Sequence, residues 1–249
     1  MISDAAFNSR FNHIFHTVNS WVNVKDKSNI LDFGCGAGIA ALNFALKNPG
    51  CTIYGCDISD SFESLGAIAE DKIKAPLPAN LYFKQMNDGV IPFDNKFDLI
   101  FSWSVFEHVN VYLMDSVISD IKSKLNDNGL LFIQIDPLYY SARGSHLYHI
   151  LKEPWIHLKM QHDNLREAVF KNQENSKTAY FWDEYEKLNK LTVNELICAF
   201  RRLGFKILKQ EITRDTEHVP TEELLGTYNE DVLLTNSVIL LMEVIDKGY

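Results

Sequence analysis

The sequence predicts an α/β protein: one doubly wound, mostly parallel sheet of seven strands, with helices on both faces and a helical insert after the fifth strand. Three observations carry this expectation. Short apolar runs alternate with amphipathic segments of helical period, a glycine-rich turn separates the first run from the next helix, and residues 137–190 interrupt a rhythm that later resumes. Alternation at this spacing reads as βαβ units, whose right-handed crossovers place helices on both faces of the sheet.

The pattern opens with a helix over 6–22, where Phe7, Phe11, Ile14, Phe15, Val18, Trp21 and Val22 recur at spacings of three and four. Residues 1–27 are thus expected to form a helical cap. Strands are expected at 29–33 (NILDF), 51–56 (CTIYGC), 81–86 (LYFKQM), 98–102 (DLIFS) and 130–135 (LLFIQI), with helices over 36–47, 61–70 and 112–126 between them. Past the insert, Thr192 and Glu195 fit a capping box ahead of the stripe Val193, Leu196, Ile197, Phe200 and Leu203, and Gly204 suits the C-terminal cap. Strands over 205–212 (FKILKQEI) and 232–244 (VLLTNSVILLMEV) complete the set. With no internal repeat or low-complexity tract, a single domain over 1–249 is expected.

Composition narrows the function. Thirty-three acidic against 24 basic side chains give a net charge of −9, which argues against nucleic acid, whose phosphates call for clustered cations. No apolar run reaches the length of about 18 residues that a membrane helix needs. The start MISDAAFNSRFNHIF lacks the basic and apolar regions of a secretory signal. Cys35, Cys51, Cys56 and Cys198 form neither a CxxC pair nor a zinc spacing, as expected of reduced thiols in a cytoplasmic protein.

The segment Leu31-Asp32-Phe33-Gly34-Cys35-Gly36-Ala37-Gly38 ends the first strand and opens a helix. Glycines there allow positive φ and close approach of a ligand, and the helix start offers free N–H groups. A dinucleotide loop wants G-x-G-x-x-G, whereas here the third glycine comes one residue early. Asp57 closes the second strand, where a carboxylate can accept from both hydroxyls of a ribose. Each acid has a plainer alternative: Asp57 as a helix cap, and Asp32 as a carboxylate that orders the loop.

With these elements in order, the chain resembles the class I S-adenosylmethionine-dependent methyltransferases. The matching stretches are LDFGCGAG at 31–38, YGCDIS at 54–59, NDGVIPFDNKFDLIFSWSVFEHV at 87–109 and NDNGLLFIQIDP at 126–137. The resemblance implies a Rossmann-like sheet whose final strand is antiparallel, S-adenosylmethionine as cofactor and S-adenosylhomocysteine as its product. It also implies that Gly34, Cys35, Gly36 and Gly38 line the methionine and ribose moiety while Asp32 holds the amino group. Asp57 would take the ribose hydroxyls, Ile58 would pack on adenine, and Asn87 and Asp88 would meet the adenine edge, although Asn87 departs from the acidic residue frequent there. Ser102 and Trp103 would lie beside the sulfonium. A cationic sulfur with a zwitterionic tail suits Asp32, which would repel a pyrophosphate.

Ligands in open α/β sheets bind beyond the carboxyl ends of the strands, which places His108 and Asp136 near the transferred methyl. His108 is a candidate general base or orienting group, with a backbone-bonded histidine as the plainer alternative; Glu107 reads as structural or supporting. The insert holds nine aromatics in 137–189, denser than the chain's 12%, which suggests an acceptor lid walled by residues such as Tyr139, Tyr140 and Trp155. Ser145 is a candidate N-cap, and Arg143 beside that helix start would form an anion site. On one helical face His146, His149 and Glu153 would stand together as an acid/base cluster. No strong metal signature is present, so no metal is expected.

The expected reaction is in-line transfer of a methyl group to a nucleophilic atom, a hydroxyl or carboxylate oxygen, of a small-molecule acceptor. The competing readings are an NAD-dependent oxidoreductase on a related fold, which the loop spacing, Asp32 and the final strand disfavour, and a non-catalytic cofactor-binding protein. The sequence fixes neither the acceptor nor the number of subunits.

Overall fold

The computed structural model describes residues 7, 9–171 and 175–245; Ala6 and Asn8 of the expected first helix, and residues 172–174 of the insert, lie outside them. The chain begins with a π-helical turn, Ser9–His13, that runs into α1 (Ile14–Trp21). The expected apolar stripe is present, but its first turn is wider than an α-helix, and Asn43 Nδ2 supplies the Phe11 carbonyl with a partner outside the helix ladder. Then follow β1 (Asn29–Phe33), α2 (Ile39–Lys47), β2 (Thr52–Asp57), α3 (Leu65–Ile73), β3 (Leu81–Gln85), β4 (Phe97–Trp103), α4 (Met114–Lys124) and β5 (Leu125–Ile135).

The insert supplies α5 (Ile156–Lys159), α6 (His162–Phe170) and α7 (Ser176–Glu186). The sheet is completed by α8 (Val193–Arg202), β6 (Phe205–Arg214), α9 (Glu222–Thr227), α10 (Glu230–Leu233) and β7 (Thr235–Val244). Among the described residues, no helix is long and apolar enough to cross a membrane.

The seven strands lie in the order β3-β2-β1-β4-β5-β7-β6. Pairings from β3 through β5 are parallel, and β7 runs antiparallel to both β5 and β6. Because successive side chains on a strand point to opposite faces, each apolar run feeds two cores. Leu31, Ile100, Leu131 and Ile133 pack with Met114, Ile118 and Ile121 of α4 and Leu196 and Phe200 of α8. Ile30, Leu99, Phe101 and Phe132 pack on the other face with Ile14, Phe15 and Val18 of α1 and Ala41 and Phe44 of α2. This explains why the buried strands read as continuous apolar runs rather than as alternating ones.

At three of the boundaries that differ from the expected ones, the structure shows what moves them. Helix α2 starts at Ile39, not 36, because Gly36 and Gly38 have φ of +51° and +74°. Strand β5 begins at Leu125, which pairs with Phe97, so α4 stops at Lys124. Residues 230–233 form a short helix capped by the Asn229 side chain, and β7 starts only at Thr235.

The capping box is present: the Thr192 hydroxyl accepts from Glu195 N–H at 3.3 Å, and Glu195 Oε2 accepts from Thr192 N–H at 2.8 Å. Replacing Thr192 with Ala removes one half of it and is expected to lower stability by about 1 kcal/mol, read as a shift in the urea midpoint with an unchanged m-value.

Candidate functional site

The strand order reverses direction at β1, whose neighbours are β2 and β4. A crevice is therefore placed beyond the carboxyl ends of these strands, where Asp32, Asp57 and Trp103 stand. In register, Asp32 pairs with Gly55 and Phe101, Asp57 with Gln85, and Trp103 with Gln134.

The glycine loop is clamped from both sides. The N–H groups of Gly34 and Cys35 both donate to the Cys56 carbonyl, at 2.8 and 3.0 Å. Gly34 has φ +77°, and a Cβ there would stand 2.4 Å from Val105 Cγ2; a Cβ on Gly38 would stand 2.7 Å from the Phe83 ring. Any side chain at these positions is thus both strained and obstructed. Around Gly36, by contrast, a Cβ would meet nothing within 4 Å, so the middle of the loop borders open space.

Two carboxylates serve this loop differently. Asp57 Oδ2 accepts from Gly36 N–H at 2.7 Å, and its Oδ1 accepts from Ser59 N–H and Oγ–H at 2.9 and 3.0 Å. Asp32 lies below the loop, 3% exposed, and its Oδ2 has no hydrogen-bond partner. Burial, reinforced by the charge of Asp57, pushes the Asp32 carboxyl up to about 8. A buried carboxyl oxygen left unpaired is costly unless a donor or a cation meets it.

The adenine-side candidates surround the open end. Ile58 is 66% exposed, an uncovered aliphatic side chain beside Asp57. Asn87 and Asp88 begin a tight turn in which Val90 N–H donates to the Asn87 carbonyl and Asp88 has φ +51°. On β4, Ser102 is fully buried and donates to the Phe33 carbonyl at 3.0 Å, tying β4 to β1. Trp103 stacks on Phe132, and the His13 ring meets it edge-on at 5.5 Å. That places the N-terminal helical segment against the β4 end of the crevice.

Beyond β4 the chain turns at Ser104 (φ +53°) and presents Glu107 and His108. Asn189, at the foot of the insert, holds this turn. Its side chain donates to the Phe106 and Val109 carbonyls, and its N–H donates to the Glu107 carbonyl. The His108 and His146 rings pack edge to face, with centroids 5.1 Å apart. Glu107 is 4% exposed and neither carboxylate oxygen has a partner, nor does His108 Nδ1 or His146 Nε2. Burial lowers His108 below the usual histidine range and takes His146 down to about 4, whereas it raises Glu107 to about 8. Asp136 is exposed at the end of β5.

The insert corrects several expectations. No helix opens at Ser145: residues 142–150 form a chain of turns, with Gly144 N–H on the Ser141 carbonyl and Ile150 N–H on that of Leu147. His146 has φ +61°, a left-handed conformation that interrupts a right-handed helix. The His146, His149 and Glu153 face therefore does not exist. His149 is exposed against Phe181, and Glu153 pairs with Lys159 at 3.0 Å. Arg143 faces no helix start; it pairs with Glu217 at 3.2 Å and covers the Tyr148 ring.

Trp155 is not a pocket wall either. It is 1% exposed, packs with Ala142, Leu224 and Leu233, and donates from Nε1 to the Tyr140 carbonyl at 3.1 Å. Tyr139 is buried in the insert's own core with Leu147, Leu165, Trp182 and Tyr185. Tyr140 does border open space: with Leu138, Leu191, Ile212 and the Arg214–Asp231 pair it lines a cavity of about 210 Å³. Glu107 is the group whose weight sequence reasoning missed. Its position directly after β4 was the available signal; its burial without a partner was not.

Comparisons with known proteins agree with this geometry. A family model described as a methyltransferase domain matches residues 10–210. The chain is 31% identical over 111 residues to (S)-coclaurine N-methyltransferase of Papaver somniferum, covering 45% of this chain and 30% of that protein. It is 28% identical over 170 residues to the uncharacterized protein RP028 of Rickettsia prowazekii, covering 62% and 64% of the two. The chain thus spans less than two thirds of the length of either relative. Among solved structures, the O-methyltransferase of a Brevibacillus brevis polyketide synthase, in complex with S-adenosyl-L-homocysteine, superposes with a TM-score of 0.59. The identity is 14%, over 97% of this chain and 74% of that one.

Proposed function

The chain belongs to the methyltransferase-domain family, and on that footing we propose that it transfers the methyl group of S-adenosylmethionine to an oxygen of a hydroxylated or carboxylated small molecule. The observation that carries this reading is Asp32: a buried carboxylate, 3% exposed and with an unpartnered oxygen, directly beneath a glycine loop that borders open space. The donor set fits the cofactor. Asp32 would take its ammonium group, the Gly34–Gly38 backbone would line the methionine and ribose, Asp57 would accept from the ribose hydroxyls, and Ile58 would be covered by adenine. The cofactor supplies an electrophilic methyl group on a sulfonium leaving group.

What the chain itself contributes is position. Holding two reactants in line can supply about 7–11 kcal/mol of the barrier reduction. Residues 137–190, pinned by Asn189 to the turn after β4, would form the lid that excludes water from the acceptor, with Tyr140 on its open side. Among the expected acid/base residues, His108 and His146 stand together at the carboxyl edge of the sheet. Kept neutral by burial, they present lone pairs rather than positive charge to a protic nucleophile.

The first test is a thermal-shift titration: S-adenosylhomocysteine is expected to stabilise the protein and NAD is not. Labelled methyl donor, supplied with panels of hydroxy, carboxy and amine acceptors, then assigns the atom. Transfer to amines alone would move the reading to the N-methylation suggested by the likeness to (S)-coclaurine N-methyltransferase. Replacing His108 or His146 with Ala is expected to cut methyl transfer at least tenfold, within the range of about 10²–10⁴ for acid/base groups, while leaving S-adenosylhomocysteine affinity within about threefold. Losses below tenfold in both variants would refute their role.

A further inference from the structure

We propose that Glu107, His108 and His146 form a binding site for a divalent transition-metal ion. One donor atom from each residue, a carboxylate oxygen and two ring nitrogens, lies within 4.8 Å of the other two. Ligands about 2.1 Å from a zinc-like ion stand closer together than that, and an inward movement of less than about 1 Å per donor closes the set. Two imidazoles and one carboxylate are a donor combination suited to first-row metals such as zinc and cobalt.

The second observation is what these atoms lack. Both Glu107 oxygens, His108 Nδ1 and His146 Nε2 are buried without any hydrogen-bond partner. Buried polar atoms are ordinarily paired, and here three neighbouring residues whose donor atoms approach one another within 4.8 Å each carry an unpaired one. A cation bound to one donor from each residue would pair all three side chains, whereas no protein donor in the described structure does. The surroundings also orient the ligands. A backbone contact to Pro137 engages His146, and the Glu107 main chain is held by Asn189 N–H; such outer contacts fix the direction of metal ligands.

Three protein donors leave coordination positions for water or an acceptor oxygen. With an ion bound, the two imidazoles would serve as its ligands in place of the acid/base role; the proposal deepens the methyl-transfer reading and rests on it for its purpose. An acceptor hydroxyl bound to the ion would release its proton to solvent, and its oxygen lone pair would form the new bond to carbon as the carbon–sulfur bond breaks, leaving a neutral thioether. Metal uptake itself requires neither methyl donor nor acceptor, so the two readings fail separately.

The test is a titration of the chelator-treated full chain with cobalt(II) and with zinc(II), followed by calorimetry and visible absorption. One equivalent of ion is expected to bind, with a ligand-field spectrum for cobalt and a rise in melting temperature for zinc. Glu107→Gln and His146→Gln are each expected to weaken binding at least tenfold; His149→Ala and Cys198→Ser, at exposed potential ligands elsewhere, are expected to change nothing. Circular dichroism confirms that each variant folds, and His146→Gln, at a half-buried position, keeps the test available if Glu107→Gln misfolds. Absence of cobalt uptake by the wild-type chain would overturn the proposal, as would uptake undiminished in both variants.

Discussion

Asp57→Ala is expected to weaken S-adenosylhomocysteine binding by about 100-fold or more, measured by isothermal titration calorimetry at neutral pH. The Asp57 carboxylate accepts three bonds from the protein itself: Gly36 N–H at 2.7 Å, and Ser59 N–H and Oγ–H at 2.9 and 3.0 Å. The first holds the glycine loop to the end of β2, and the other two fix the chain beyond it. A hydrogen bond to a charged group contributes about 1.5–3 kcal/mol. The variant loses the loop's tether together with the proposed ribose contacts, so a combined loss of about 3–5 kcal/mol in affinity follows.

Folding should survive, because Asp57 sits at a strand end and the cores on both faces of the sheet lie elsewhere. Asp57→Asn keeps one acceptor oxygen and is expected to fall between wild type and Asp57→Ala. Affinity for the alanine variant within fivefold of wild type would show that Asp57 only caps the following turn, the plainer alternative.

The inner strands were legible because they are buried on two faces. Runs such as NILDF and LLFIQI carry their own signal, and the seven strands appear where the runs do. The capping box was equally readable, since Thr192 and Glu195 bond to each other within a single helical turn. So was the glycine loop, where the residue type itself reports the backbone state: Gly34, Gly36 and Gly38 all have positive φ.

The insert was not legible, and the reason is tertiary. Gly144 is pressed so closely against Tyr139 that a Cβ there would meet the Tyr139 carbonyl, and two residues on His146 takes φ +61°. Neither constraint leaves a trace in periodicity, so a helical face of His146, His149 and Glu153 looked plausible and does not form. The pairing of His146 with His108 crosses 38 residues of sequence and depends on how Asn189 anchors the insert's end to the β4 turn. Aromatic density pointed to pocket walls, but most of those rings fill a separate core around Trp182 and Tyr185. A sequence reports a side chain's chemistry more reliably than which of two apolar environments it enters.

The same distinction shapes the expectation for Asp32, where burial sets a proton inventory that ligand binding must change. Its carboxyl is raised from 3.8 to about 8 in the folded chain by burial first and by Asp57 second. Near pH 7 the folded protein therefore holds a proton there that the unfolded chain has released. The sign follows from linkage: with more protons bound to the native state, stability falls as pH rises between about 4 and 8, and the contribution is full only below the unfolded value. A ligand ammonium placed against the carboxylate reverses the preference, because an adjacent opposite charge favours the ionised form.

Binding of S-adenosylhomocysteine at pH 7 is thus expected to expel about one proton. Calorimetric titrations in two buffers of different ionisation enthalpy will show it as a buffer-dependent heat, and affinity is expected to climb as pH rises toward 8. Asp32→Asn has no proton to release and no charge to offer. Its binding heat is expected to be the same in both buffers, and its affinity lower by about 2–5 kcal/mol, the range for removing one partner of a buried charge pair. A wild-type heat independent of buffer would mean that the ligand's ammonium does not reach Asp32, and the carboxylate would then have to be read as a group that only orders the loop.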